Sequence, residues 1–195
     1  MPRRLPAALV ITAMLAMILG ACGGDTTPKP PGYVRIKTPE KRYRLYDEGE
    51  CYRFEIPGYA VMERDTGRGS GRGWVNIDLP ELNGKIHLSY KPVHGNLGEY
   101  ITDSRTLAYK HTVRAEGIEE TPFIDRDHRR FGMVYDLEGN VASAVQFFIT
   151  DSTTHFLRGS LYFNCTPNRD SLRPLIQFVR EDIIHLIETT EWKYD

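Results

Sequence analysis

The sequence of 195 residues has no excess of either charge, because 25 Lys and Arg residues face 26 Asp and Glu residues and the net charge at pH 7 is −1. Proteins that bind nucleic acid or anionic lipid electrostatically carry a basic excess. We therefore expect the protein to bind neither nucleic acid nor, through electrostatic attraction, lipid headgroups. Long hydrophobic runs are also scarce, since the one such run lies at the N-terminus.

Metal-ligand patterns are missing as well. The chain has six histidines and three cysteines, and no histidine pairs with another His or a Cys at a recognised ligand spacing. His111 falls on the apolar face of a predicted helix, and His87 falls on the polar face of a predicted strand. We therefore expect no metal, no cofactor and no catalytic residue.

The N-terminus has the layout of a secretory signal. Arg3 and Arg4 supply positive charge, and an apolar run follows from Leu5 to Leu19. This run is shorter than the ~20 residues that a membrane-spanning helix needs. It ends in Leu19-Gly20-Ala21-Cys22, which resembles the lipobox of bacterial lipoproteins. Cys22 is the predicted lipidation site, and an ordinary signal peptide or an uncleaved anchor is the alternative.

Three segments follow from this pattern. Residues 1–21 are the predicted signal peptide, residues 22–32 are the lipidated Cys22 with a tether, and residues 33–195 form a single domain. The tether contains three prolines and no large hydrophobic residue. It reaches roughly 30 Å at about 3 Å per residue, which lets the domain stand off the headgroups.

Lipidation of Cys22 leaves Cys51 and Cys165 in an oxidising compartment. They could form one disulfide that closes a long loop, with an ideal gain of about 4–5 kcal/mol. Two separate buried thiols that behave as small apolar residues are the other interpretation.

Alternation and helical spacing predict the order strands, helix, strands, helix. Strand-like runs cover 52–56, 59–62, 75–79, 86–90, 131–137, 141–150 and 155–164, and Asn83-Gly84 is a hairpin signal. A first helix runs from Leu97 to Ala115 with Gly117 at its end. A second helix of about 18 residues has Ser171 as its N-cap and Pro174 in its first turn. The pattern predicts an α+β fold with a single antiparallel sheet and two main helices packed on it, and it resembles the PsbP-type sandwich.

Two local sequences invite a functional interpretation. The segment Gly67–Gly73 is glycine-rich, yet no Gly-Lys-Ser/Thr ending follows it, so it is a mobile hairpin loop or a partner-binding loop. Asp151, Ser152 and His155 could suggest a hydrolase, but no Gly-x-Ser-x-Gly elbow is present. The segment Asp151–Thr154 is better explained as a turn between two strands.

Long motifs carry a resemblance to a known family. They are Gln146–Ser152, His155–Asn164, Pro167-Asn168 and Asp170-Ser171, with Pro28–Pro30, Gly32-Tyr33, His87–Lys91, Tyr109–Thr112 and Trp192-Lys193. Together they closely resemble the gliding-motility lipoprotein GldD family of Bacteroidetes, over essentially the whole mature chain. The resemblance implies a non-catalytic accessory protein that the gliding machinery and the linked type IX secretion machinery require for assembly or stability. Its partners would be other envelope proteins of that machinery.

The candidate partner-binding residues in these motifs are Asp151, His155, Arg158 and Asn168. One interpretation is that Arg158, together with Gln146 and Asn164, ties the predicted hairpin to its turns and to the last helix. The other is that Arg158 and Asp151 present a recognition edge to another envelope protein.

The location and the alternatives complete these expectations. Gly23 replaces the Asp that retains some lipoproteins in the inner membrane, and Asp25 alone is a weak surface-export signal. We therefore expect a lipid-anchored protein of the outer membrane that faces the periplasm. The second hypothesis is a periplasmic or surface lipoprotein that binds a small ligand or glycan in a sheet-edge pocket, and the third is a hydrolase.

Overall fold

Alternating apolar and polar residues form strands along much of the chain. The structure is a computed structural model that describes residues 37–67, 69–110, 115–166 and 168–194, and these residues form ten strands and two α-helices. The elements are β1 (Tyr43–Tyr46), β2 (Tyr52–Pro57), β3 (Val61–Arg64), β4 (Val75–Leu79), β5 (Gly84–Pro92), α1 (Leu97–Lys110), β6 (Ala115–Asp125), β7 (Arg130–Gly139), β8 (Val145–Thr150), β9 (His155–Phe163), α2 (Arg169–Thr189) and β10 (Glu191–Trp192). The predicted signal peptide, Cys22 and the tether lie outside the described residues.

Seven strands form one antiparallel sheet in the order β3-β4-β5-β9-β8-β7-β6. Each of the two halves is a series of hairpins, and α1 lies in the connection between them. The halves join where β5 pairs with β9, from Gly84 opposite Phe163 to Pro92 opposite His155. The expected α+β class with two helices is confirmed.

The expectation of a single sheet is wrong, because β1, β2 and β10 form a second antiparallel sheet. The run 52–56, which forms most of β2, was expected to belong to that single sheet. Instead, β1 pairs with β2 on one side, and on the other side Trp192 of β10 lies opposite Tyr52 of β2. The reason is that α2 packs on β2, so the chain that leaves α2 arrives at the free edge of β2.

The core lies on both faces of the large sheet. In β8 and β9, Phe147 and Leu157 belong to a cluster shared with α2 and the small sheet, and we call this side the inner face. Phe148 and Phe156 belong to a second cluster that includes α1, on the outer face. Every residue of β8 is buried, as is usual for a strand covered on both faces.

Helix α1 is shorter than the spacing predicts. Within the described residues it spans Leu97–Lys110, and Ala115 and Gly117 belong to the edge strand β6, which pairs with β7. Residues 111–114 lie outside the described residues, so the place expected for His111 stays a prediction.

Helix α2 begins earlier than expected. Its N-cap is Asn168 rather than Ser171, because the Asn168 side chain accepts a hydrogen bond from the Ser171 backbone N–H at 3.3 Å. Asn caps helices as well as Ser does, and this adds a turn that leaves Pro174 inside the helix. The predicted apolar stripe is otherwise found, with Leu175, Val179 and Ile183 in the core. Neither described helix has the length and apolar character that a bilayer crossing needs.

Candidate functional site

The turn between β8 and β9 is organised around one buried carboxylate. Asp151 Oδ1 accepts hydrogen bonds from the backbone N–H groups of Thr153 at 3.0 Å, Thr154 at 2.8 Å and His155 at 2.8 Å. Its Oδ2 accepts from the Thr153 hydroxyl at 2.9 Å and from the Tyr194 hydroxyl at 3.3 Å. The predicted turn is therefore confirmed, and it forms because an Asp side chain can bond to backbone groups just ahead of it.

The hydrogen bonds also decide the charge of this carboxylate. Burial raises the pKa of Asp151, but the bonds from the backbone of His155, Thr154 and Thr153 together outweigh it, so the pKa is below its usual value. Asp151 is therefore ionised at neutral pH. An ionised acceptor makes stronger hydrogen bonds than a neutral one, and the turn is correspondingly firm.

The imidazole of His155 lies in an aromatic enclosure. Its Nδ1 is hydrogen-bonded to the Tyr90 hydroxyl at 2.9 Å. The ring stacks on Trp192, with centroids 5.1 Å apart and planes 5° apart, and it meets Tyr194 edge-on at 5.0 Å. His155 is buried, and burial together with the neighbouring Cys51 thiol raises the pKa of Tyr90. The phenol is therefore neutral at physiological pH.

The predicted turn residues do not form a line of nucleophile, base and acid. The Ser152 hydroxyl donates to the backbone carbonyl of Asp151 at 2.6 Å. The Asp151 carboxylate meets the backbone N–H of His155 rather than its imidazole. A hydrolytic relay needs the carboxylate to orient the imidazole and the imidazole to face the hydroxyl. The hydrogen bonds of the Asp151 carboxylate and the Ser152 hydroxyl go instead to backbone groups and to the hydroxyls of Thr153 and Tyr194.

An exposed Arg and an exposed Tyr lie beside this turn. Arg129 Nη2 donates to Thr153 Oγ1 at 2.9 Å, and the Arg129 guanidinium carbon lies 5.8 Å from the centre of the Tyr194 ring. The Trp192 indole N–H donates to the Arg129 carbonyl at 3.1 Å, and Tyr194 is 54% exposed. We call Arg129, Thr153 and Tyr194 the corner surface. Sequence reasoning missed Arg129 and Tyr194, because only the paired β10 brings the chain end to this turn.

Arg158 does not join Asp151. His155 and Arg158 are three residues apart on β9 and their side chains lie on opposite faces of the sheet, so Arg158 lies on the outer face with Phe156. Its Nη2 donates to Gln146 Oε1 at 2.6 Å. A single recognition edge made of Arg158 and Asp151 is therefore not formed. Arg158 instead bonds across the hairpin to Gln146, and the predicted tie of these residues to the turns and to the last helix stays a prediction.

Asn168 and the two later cysteines lie elsewhere. Asn168 is exposed at the start of α2, after the C-terminal end of β9. His155 is the first residue of β9, so the two residues lie near opposite ends of this strand. Cys51 is buried and Cys165 is exposed, and within the described residues no disulfide joins them. The hypothesis of two buried thiols is wrong for Cys165, because the loop after β9 leaves it at the surface.

The outer face contains a concave region of about 560 Å³ between α1 and strands β5 and β9. We call this region the outer groove. Its lining includes His87 and Ser89 from β5, Phe156 and Arg158 from β9, and Tyr100 and Asp103 from α1. In the sequence, His87 and Ser89 are polar members of an alternating run and belong to one of the motifs that carry the family resemblance. Their convergence with Arg158 depends on the pairing of β5 with β9.

The glycine-rich segment is the loop of the β3–β4 hairpin. The Ser70 backbone N–H donates to the Gly67 carbonyl at 3.1 Å, and that of Trp74 donates to the Gly71 carbonyl at 3.2 Å. Arg72 pairs with Glu50. The segment leads into a strand and not into a helix, so it has no helix N-terminus for a phosphate. Across the described ranges, no three His, Cys, Asp or Glu side chains are grouped as metal ligands would be.

Comparison with known proteins gives one family match. A family model described as "Gliding motility lipoprotein GldD" matches residues 23–192. No curated protein matches the chain in sequence. Among solved structures, the chain is similar to the solution structure of cyanobacterial PsbP (CyanoP) from Synechocystis sp. PCC 6803, with 15% identity and a TM-score of 0.44 over 79% of this chain and 98% of that one.

Proposed function

Because the chain belongs to the family of gliding motility lipoproteins GldD, we propose that it is a non-catalytic accessory protein of the gliding machinery and of the linked type IX secretion machinery. Family membership gives it a role in gliding motility and a lipid-anchored place in the cell envelope. In this proposal, the domain contacts other envelope proteins, and these contacts support assembly or stability of the machinery.

One observation carries the proposal beyond the family. The family match spans nearly all of the described domain, and within it the Ser152 hydroxyl donates to a backbone carbonyl. The Asp151 carboxylate receives hydrogen bonds from Thr153, Thr154, His155 and Tyr194, so it is not placed to move a proton. This supports an architectural role for the turn.

The corner surface supports the proposed protein contacts. Arg and Tyr are among the residues that contribute most to protein interfaces. Arg129 is held by Thr153 and lies over Tyr194, so the two large side chains are positioned before a partner arrives. Side chains that are ordered in advance lose less conformational entropy on binding.

The lipid anchor would place the corner surface near the gliding and secretion machinery. In the proposal, Cys22 carries two or three acyl chains, which together hold a protein firmly. The protein then faces the periplasm from the outer membrane. Fractionation of cells, with protease accessibility tested before and after outer-membrane permeabilisation, is the direct measurement. Protease access on intact cells would contradict the periplasmic placement.

The test of the contact surface uses the double variant Arg129→Ala/Tyr194→Ala in the native gene. We expect spreading on agar and secretion to fall strongly, with fewer motility and secretion components recovered after crosslinking. Loss of two interface anchors corresponds to about ten-fold weaker binding or more. The protein should stay folded, with a thermal unfolding midpoint lower by no more than a few degrees, because Tyr194→Ala also removes the hydrogen bond to Asp151 at 3.3 Å.

The chain offers a matched control pair. Arg105 on α1 lies 5.3 Å from the centre of the Tyr109 ring, so Arg105→Ala/Tyr109→Ala removes a similar exposed pair from another surface. This control should keep motility and the crosslinked partners. Equal loss in both double variants, or full motility without the corner pair, would overturn the assignment of the contact to the corner surface.

A further inference from the structure

Arg158 has no compensating anion among the residues that the structure describes. Its guanidinium is partly buried on the outer face, and its hydrogen bond to Gln146 Oε1 at 2.6 Å involves a neutral acceptor. Within the described part of the chain, no carboxylate pairs with it. Burial lowers the pKa of Arg158, yet a guanidinium stays charged near neutrality. A cation that is partly withdrawn from water is costly unless an opposite charge approaches it.

Two further polar groups beside Arg158 lack hydrogen-bond partners. Gln146 on β8 lies directly opposite Ser160 on β9, and the two are 1% and 2% exposed. Gln146 Nε2 and Ser160 Oγ have no hydrogen-bond partner among the described residues. Buried polar atoms in native proteins nearly always have a partner, and those that do not often mark a bound molecule or water. Gln146 also holds Arg158 in place through its other amide atom.

The polar groups form a continuous strip across the outer face. Ser160 lies opposite His87 on β5, and Arg158 lies opposite Ser89. The His87 Nδ1 atom is hydrogen-bonded to Asn76 Oδ1 at 2.7 Å, which orients the ring. Of this strip, His87, Ser89 and Arg158 line the outer groove, which therefore offers an imidazole and a hydroxyl beside the guanidinium.

The rest of the outer groove is mostly apolar. Leu88, Tyr100, Leu107 and Phe156 line it, and Lys91 Nζ lies 4.5 Å from the centre of the Tyr100 ring. A volume of about 560 Å³ is within the usual range of small-molecule sites, which combine apolar walls with a few polar groups. The groove therefore fits a molecule with an apolar body and one polar end.

The charges around the groove indicate which polar group its ligand carries. The basic residues are Arg158, Lys91 and Lys110, and the acidic ones are Asp65 and Asp103. Burial, with the nearby Lys85, lowers the pKa of His87, so this ring is neutral at pH 7. One positive charge is left uncompensated, which matches a monoanion better than a doubly charged phosphate.

We propose that the outer groove binds a small monocarboxylate with an apolar or aromatic body, and that Arg158 pairs with its carboxylate. Gln146 is the positioning residue that holds the guanidinium. The site uses other residues than the corner surface, so a ligand in the groove and a protein partner at the corner surface can be bound separately.

The two tryptophans of the chain make a direct test possible. Trp74 lines the outer groove, whereas Trp192 stacks on His155 in the turn. The full-length lipidated protein in detergent micelles, labelled with ¹⁵N in its indoles, is titrated with 3-phenylpropanoate. We expect the Trp74 indole signal to shift and saturate while the Trp192 signal stays in place. Neutral 3-phenylpropanamide and doubly charged phenyl phosphate should bind about ten-fold more weakly or not at all.

Variants separate binding from folding. Arg158→Gln should abolish the saturable shift without lowering the unfolding midpoint, because it removes an uncompensated charge. Arg158→Lys should retain part of the affinity, because it keeps the positive charge but not the planar pair of donors. Arg42→Gln, at a residue whose side chain is 78% exposed, is the matched control and should bind as the wild-type protein does.

Several outcomes would overturn the proposal. They are a Trp74 shift that does not saturate, a shift of equal size with the amide, unchanged binding by Arg158→Gln, or phenyl phosphate that binds as tightly as the carboxylate. If Arg158→Gln fails to fold, the comparison of 3-phenylpropanoate with its amide on the wild-type protein decides alone.

Discussion

The carboxylate of Asp151 accepts a hydrogen bond from the backbone N–H of His155 at 2.8 Å, so the residue that follows β8 holds the first residue of β9. His155 in turn stacks on Trp192 of β10. The His155 side chain thus links the large sheet to β10, the last strand of the small sheet, and the Asp151 carboxylate holds the backbone of His155. The corner surface depends on this link, because Tyr194 also donates to Asp151.

Asp151→Asn should therefore lower the free energy of unfolding by about 1–3 kcal/mol. The amide oxygen is a weaker acceptor than a carboxylate oxygen, and the amide nitrogen would face the donors of Thr153 and Tyr194. Urea unfolding at pH 7 measures the change. Asp103→Asn, at an exposed helical position, should change stability little, and an equal loss there would remove the special role of Asp151.

Gly159 gives a second prediction, because β9 passes close to the Phe147 ring of β8 at this residue. An added Cβ would overlap that ring and lie 3.0 Å from Leu88 Cδ2. Gly159→Ala should therefore destabilise the protein by about 1–3 kcal/mol through overpacking. Gly98 on α1 has no atom within 4 Å of an added Cβ, so Gly98→Ala should be neutral or stabilise by about 0.4–1 kcal/mol. Thermal unfolding of the two variants compares them, and equal midpoints would contradict the packing argument.

Much of the fold was predictable because strong local patterns agree with it. Alternation in Val75–Leu79 and in the run 86–90 found β4 and β5, and the apolar stripe around Val179 found α2. Strand β6 was missed because it is an edge strand with Glu119, Glu120 and Pro122. Charged residues and proline are common in edge strands, where they hide the alternating pattern and protect the free edge.

Tertiary pairing explains what the sequence did not predict. β10 has two residues, and it is a strand only because β2 offers an edge beside α2. Of the four predicted partner-binding residues, Asp151 and His155 meet at one turn. Arg158 faces the other side of the sheet, where it joins His87 and Ser89. Alternation along a strand predicts that residues 155 and 158 lie on opposite faces. The neighbours of Arg158 on its face follow only from the pairing of β5 with β9.

The ion pair of Asp125 and Arg130 predicts an acid dependence of stability. The hydrogen bond from Arg130 lowers the pKa of Asp125 to about 2, well below its value of about 3.9 in an unfolded chain. Because the folded pKa is depressed, the stabilisation is complete above about pH 4 and is lost as the pH falls towards about 2. Asp125→Asn should therefore be less stable than wild type at pH 5–7, and the two curves should converge near pH 2.

Urea unfolding between pH 2 and pH 7 measures both curves. Asp127→Asn lies in the same turn on an exposed residue, and its curve should run parallel to that of the wild-type protein. A constant difference between wild type and Asp125→Asn down to pH 2 would show that the ion pair does not set this dependence.

Asp182 of α2 gives the last prediction, because its carboxylate is 2% exposed and receives two phenols. The Tyr43 hydroxyl donates to Oδ1 at 2.8 Å, the Tyr59 hydroxyl donates to Oδ2, and Lys41 Nζ lies 3.2 Å from Oδ1. These contacts hold β1 and the start of the domain on α2. Tyr43→Phe and Tyr59→Phe should each lower the free energy of unfolding by about 1–3 kcal/mol, because each leaves a buried charged acceptor with one donor fewer.

A double-mutant cycle with Tyr59→Phe and Asp182→Asn isolates the link. The phenol and the carboxylate are in direct contact, so their effects on the free energy of unfolding should differ from additivity by about 0.5–3 kcal/mol. The matched pair Tyr59→Phe and Asp136→Asn, with Asp136 bound to Arg180 at 2.7 Å instead, should be additive within about 0.5 kcal/mol. Additivity in both cycles would mean that packing of the rings, rather than the buried carboxylate, holds β1 on α2. Coupling in the first cycle alone would instead show that Asp182 fixes β1 on α2.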